Sequence, residues 1–249
     1  MSKFDPGNLL WFGAAPVPPQ PSPYLLGWNP ALRKFKPFGL PVKQLARYSK
    51  ASSDFVTRTK SMLDNVHPGI QAVLIKYGVA VWPVGDIYDA SMWLSWDGPR
   101  GHGDRFTWKT ISGLCLFEGH LLVLCECRED GTRYIRCDNR QGVFNHELGH
   151  CLDRALALIS ASPEFLACYA ADFKQLSDSN KALYRYLLQP DLAGPSELFT
   201  ECFAATQGLG CFPNGPKNMP EYFPSSYQFV SDLVGRLTSS FQQENINAL

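Results

Sequence analysis

The stretch FNHELGHCLD sets His146 and His150 four residues apart, with Glu147 directly after the first. The chain has only 5 histidines in 249 residues, so the pair does not come from a His-rich composition. On an α-helix each residue turns about 100°, which brings residues i and i+4 onto one face, a turn apart. Two imidazoles at that spacing can reach one tetrahedral zinc, while a glutamate beside the first projects to the side and can move protons. Asp153 falls in the same arc as the two histidines, and Phe144, Leu148, Cys151, Leu152, Ala155 and Ile159 fall opposite. The pattern predicts a helix with one face in a core and the other presenting the imidazoles. Asp153 is placed either to accept the second N–H of a ligand histidine or to stand as an ordinary surface acid.

A hydrolytic zinc site needs a third protein ligand and an open position for water. Three further histidines are available, His67, His102 and His120, and none sits in a supporting motif. The metzincin pattern fails because it would require Gly at 153 and His at 156, where the chain has Asp153 and Leu156. GPSELFTECFAATQG, residues 194–208, is the better source. It predicts a helix with Pro195 in its first turn and Gly208 as its stop, carrying Glu197 and Glu201 one turn apart. Two carboxylates stacked among Leu198, Phe199, Phe203 and Ala204 lie close to an apolar surface, where unpaired charge is costly. A nearby cation would account for them.

The elements that must position these residues divide along the chain. Helical patterns run from Ser52 to about Val66 and from Pro68 to near Gly78, and VAVWPVG follows as a short strand. SGLCLFEGHLLVLCEC predicts a hairpin, two β-prone apolar runs separated by EGH. RYIRC predicts a further strand, and Asp138 or Asn139 could cap the helix that carries the histidines. Helices are then expected near 162–176, 179–188, 195–207 and 225–242. Strands early and helices late make an α+β protein with a small sheet and a mainly helical C-terminal half. The Gly- and Asp-rich stretch between strands, including 97–104, is expected to be a loop.

Residues 1–50 carry eight prolines from Pro16 to Pro41 among aromatics, as in an extended arm, so the domain proper is expected at 51–249. Lys and Arg balance Asp and Glu at 23 each, which gives no field for nucleic acid or anionic membrane. No apolar run reaches the roughly 18–20 residues of a membrane helix, and Asp5, Pro6 and Gly7 interrupt the only candidate signal sequence. Cys115 and Cys125 lie in strand-like runs, and Cys151, Cys168 and Cys202 in helix-like ones, as expected of thiols serving as small buried apolar groups. These features favour a soluble protein of the cytoplasm, or one delivered into a host cell, over a classically secreted one.

HELGHCLD, SELFTECFA and YFPSSYQFVSDLV together resemble the zinc metalloprotease domain of anthrax-toxin lethal factor and its relatives, which include the Pro-Pro endopeptidases. The resemblance covers about residues 65–242. It implies a zincin-like, gluzincin-type peptidase of the toxin or effector kind with one zinc per chain. His146, His150 and Glu197 would hold the metal, Glu147 would be the general base, and Glu201 would support the site from behind. An extended polypeptide substrate would lie along an edge strand, here Gly113, Leu114, Cys115, Leu116 and Phe117. The relatives also carry a tyrosine shortly before the third ligand. The position seven before Glu197 is Pro190, and Tyr186 and Tyr184 are the nearest candidates, with Tyr186 preferred. Two other classes remain open from sequence: a catalytically silent binding protein on the same fold, and an interaction domain whose Pro-rich arm recruits partners.

Overall fold

The structure is a computed structural model and describes residues 10–11, 28–29, 34–35, 51–87, 110–116, 121–130, 133–136, 139–212 and 215–247. Most of the Pro-rich arm, the 97–104 loop, Phe117, His102 and His120 lie outside these residues. The elements are β1 (Leu10–Trp11), β2 (Trp28–Asn29), β3 (Lys34–Phe35), α1 (Ser53–Asp64), α2 (Pro68–Tyr77), β4 (Ala80–Val84), β5 (Gly113–Leu116), β6 (Leu121–Cys125), β7 (Cys127–Asp130), β8 (Arg133–Arg136), α3 (Arg140–Ala155), α4 (Pro163–Gln175), α5 (Asp178–Leu183), α6 (Ala193–Thr206), α7 (Gly215–Tyr222) and α8 (Pro224–Asn247). They fall into two compact units, one formed by residues 1–67 and 71–140 and the other by 68–70 and 141–249.

The first unit is built on a mixed sheet in the order β1-β4-β6-β5. β4 and β6 run parallel, with Trp82 opposite Val123, and β5 returns antiparallel on β6 as the predicted hairpin, with Leu114 opposite Val123. Every residue of β4 and β6 is buried, which explains why both are continuous apolar runs rather than alternating ones. One face carries Ala80, Trp82, Val84, Leu121, Val123 and Cys125 in a single cluster with Ile111 and Leu114 against it. β5 ends the sheet, with no further strand beyond it among the described residues. α1 is capped by Ser52, whose hydroxyl accepts from Phe55 N at 3.1 Å. The Ser52 backbone N–H and hydroxyl in turn donate to the two oxygens of Glu126, each at 2.7 Å. α2 stops at Gly78, whose φ of +85° turns the chain directly into β4.

The second unit is helical. Phe165 and Phe199 meet edge to face at 5.6 Å, joining α4 to α6, and Phe144, Phe203 and Phe223 are fully buried beside them. Asp172 of α4 accepts from Ser225 N and Ser226 N at 3.0 and 2.8 Å and so fixes the start of α8. The predicted RYIRC strand is β8, but it pairs with β7 in a separate ribbon. α7 is an 8-residue helix beyond those expected, and it carries Pro220 inside it. α3 ends at Ala155, so Ile159 lies in the 3-10 turn that follows and not on the helix face. Among the described residues no helix is long and apolar enough to cross a membrane, and no disulfide joins any two of the seven described cysteines.

Candidate metal centre

The site is assembled by α3 and α6, and the contact between them is set by a glycine. A Cβ placed on Gly149 would stand 2.9 Å from Thr200 Cα and 3.2 Å from the Phe203 ring, so only glycine allows the two backbones this approach. His146 and His150 of α3 then face Glu197 and Glu201 of α6. His146 Nε2 lies 3.2 Å from Glu197 Oε2, and His150 Nε2 lies 3.5 Å from the same oxygen. The two imidazole planes are nearly perpendicular, with centroids 5.0 Å apart. His146 and Asp153 are buried, as are Phe144 and Leu148 on the opposite side of the helix, while Glu147 and His150 are half-buried.

Glu197 Oε2 is buried and makes no hydrogen bond of acceptable geometry, although two imidazole nitrogens converge on it. One ligand atom from each of His146, His150 and Glu197 lies within 4.8 Å of the others. Ligands about 2.1 Å from a tetrahedral zinc stand about 3.4 Å from one another. The observed 3.2 and 3.5 Å fall on either side of that spacing. Two imidazole nitrogens, one carboxylate oxygen and a buried acceptor without a hydrogen bond therefore fit a zinc-type donor set. Burial alone would raise the Glu197 pKa, but the two imidazoles outweigh it and hold the carboxyl far below the usual range.

Glu201 is fully buried behind His146, with Oε2 2.9 Å from Nδ1 and Oε1 accepting from Phe212 N at 2.9 Å. A carboxylate can only accept, so the neutral ring carries its proton on Nδ1 and turns the Nε2 lone pair toward Glu197. Thr200 Oγ1 donates to Glu197 O at 2.9 Å and stands 3.4 Å from the same Nδ1. Burial works against charging His146, yet Glu197 and Glu201 overcome it and raise its pKa well above the ordinary value. His146, Glu201 and Cys211 form a second group of close donors, but there Nδ1 and both Glu201 oxygens are already engaged.

Asp153 does not orient a ligand histidine. Its oxygens accept from Ser160 N at 2.8 Å and Ser160 Oγ at 2.7 Å, with Ser196 Oγ at 3.4 Å. They fasten the turn after α3, where Ala157 and Leu158 have φ of +58° and +62°. Tyr186, in the 3-10 turn Arg185–Leu188, lies within electrostatic reach of Glu197, His146 and Glu147. Its pKa is raised strongly, first by burial and then by Glu197, with the Glu147 charge adding to the effect. Tyr184 is instead packed against Phe223 at 5.2 Å and Tyr222 at 5.4 Å. Glu147 is half-buried. Asn145, Thr200, Cys211 and Phe212 were not singled out from sequence; Gly149 at the crossing was the one available hint that α3 and α6 touch.

No protein-family model matches the sequence, and no curated protein matches it. Among solved structures, the Pro-Pro endopeptidase from Paenibacillus alvei superimposes with a TM-score of 0.50, covering 74% of this chain and 92% of that one at 16% sequence identity. At that identity the likeness concerns architecture: the chain has the α+β, zincin-like fold of this endopeptidase, a small mixed sheet followed by a mainly helical half.

Proposed function

We propose that the protein is a zinc-dependent endopeptidase that hydrolyses peptide bonds in an extended polypeptide. The observation that carries this reading is the convergence of His146 Nε2, His150 Nε2 and the buried Glu197 Oε2 within ligand-to-ligand distance of one another. His146, His150 and Glu197 hold the ion. Zinc, when bound, would polarise the scissile carbonyl and lower the pKa of the attacking water. Glu147 takes a proton from that water and delivers it to the leaving amine. Tyr186, kept protonated by its raised pKa, donates to the oxyanion that develops on the carbonyl. Glu201 fixes the His146 tautomer from the far side of the ring. For the substrate we keep Gly113, Leu114, Cys115, Leu116 and Phe117, on the ground that β5 is the last strand of its sheet among the described residues, and an extended peptide can add to a sheet at its edge.

The test is elemental analysis after zinc loading, followed by incubation with a diverse peptide library read by mass spectrometry, with Glu147→Gln alongside. About one zinc per chain with cleavage by wild type alone is the expected result. Folded protein that takes up no zinc would sink the reading, and zinc without cleavage would favour a silent binding protein.

A further inference from the structure

A buried carboxylate such as Glu201 is stable only where its oxygens are held by fixed donors. One donor comes from a short loop, 209–212, in which Leu209 is 49% exposed while the Phe212 ring lies 6.2 Å from Tyr184 and 6.3 Å from Tyr186. Its polar anchorage comes from α3. Asn145, 3% exposed, donates from Nδ2 to Leu209 O at 2.8 Å and accepts from Gln141 Nε2 at 2.9 Å. The Cys211 thiol points at Gly142 O, at 3.7 Å. With the loop so fixed, Phe212 N meets Glu201 Oε1 at 2.9 Å, and the other oxygen is left against His146 Nδ1. Gly210 completes the fit. The positive-φ glycines among the described residues are Gly78 and Gly208, so Gly210 is not required for backbone freedom. It is required for space, because a Cβ there would collide with Glu201 Oε1 and lie 2.9 Å from Cδ.

We infer that the 209–212 loop, clamped by Asn145, is a positioning device for the metal centre, and that Asn145 and Gly210 are positioning residues acting through Glu201 on His146. The inference rests on the zinc reading given above. It assigns function to a loop that reaches the His146 ring through Glu201. Gly210 adds an independent line to the Asn145 clamp, since a methyl group there would push the carboxylate off both of its partners.

Zinc affinity of purified apoprotein, measured by chelator competition, tests this together with the visible spectrum of the cobalt-loaded protein and the melting temperature of the apoprotein. Asn145→Ala and Gly210→Ala should each weaken zinc binding by about tenfold, the low end for groups that orient a metal ligand, and should alter the cobalt spectrum. A lowered melting temperature with unchanged affinity and spectrum would reduce both residues to ordinary structural roles and overturn the inference. Gly210→Ala adds one methyl group against Glu201 and removes no hydrogen-bonding side chain, so it decides the matter if Asn145→Ala does not fold. Wild type that binds no zinc overturns the inference together with the zinc reading; wild type that binds zinc beside variants that bind equally well overturns the inference alone.

Discussion

His146 Nδ1 and Glu201 Oε2 stand 2.9 Å apart, both buried, while the opposite nitrogen of the same ring is 3.2 Å from Glu197. One imidazole is thus held between two carboxylates that have different tasks. Glu197→Ala removes a ligand and should abolish zinc binding. Glu201→Ala leaves all three ligands and should weaken affinity by roughly 10- to 100-fold, the range for groups behind a ligand. Equilibrium dialysis against zinc ranks the two. A greater loss at Glu201 would mean that the ligand is on the other turn of α6.

Glu147 is proposed to move a proton without holding the ion. Glu147→Gln should therefore keep zinc content and melting temperature while turnover falls by at least about 10² to 10⁴-fold, the usual contribution of general acid–base catalysis. Cleavage within a factor of ten of wild type would exclude the role.

The helices that carry the site could be read from sequence because their signals are local. His146 and His150 share a face by periodicity alone, and Pro195 and Gly208 mark α6 at both ends. What could not be read is which polar group meets which across the two helices. Asp153 and Glu201 are equally plausible partners for a ligand histidine in one dimension. The choice is made by the Gly149 crossing, which brings Glu201 to His146, and by the tight turn at Ala157 and Leu158, which uses Asp153 locally. The clamp at Asn145 was hidden for the same reason, since its partner Leu209 is 64 residues away. β7 and α7 escaped because CRED has no alternation and GPKNMPEY has two prolines.

Tyr186 lies close enough to Glu197 and Glu147 for both charges to raise its pKa, so at neutral pH it is a phenol that can donate. Tyr186→Phe should lower kcat by about 10² to 10³-fold, the cost of removing one oxyanion donor, with little change in KM or zinc content. Zinc loss in this variant would show that the hydroxyl supports Glu197 instead.

The electrostatics of the metal-free site predict a pH trend that zinc should reverse. His146 has its folded pKa raised above the ordinary 6.5, so its contribution to stability is fully present below that value and disappears as pH rises through the folded pKa. Glu197 has its pKa lowered from 4.5, so its contribution is present above 4.5 and is lost as pH falls through the depressed value. Both conditions hold between 4.5 and 6.5, where a protonated His146 faces an ionised Glu197. In chelator the protein should therefore melt at a higher temperature at about pH 5.5 than at about pH 8, as far as this site is concerned. Zinc needs the Nε2 lone pair and must displace that proton, so its stabilising effect should grow with pH across the same interval. Differential scanning fluorimetry with and without zinc at both pH values measures the two trends. His146→Gln should flatten both. If zinc raised the melting temperature equally at the two pH values in wild type, no proton would be leaving His146 on binding, and the imidazole would not be a ligand.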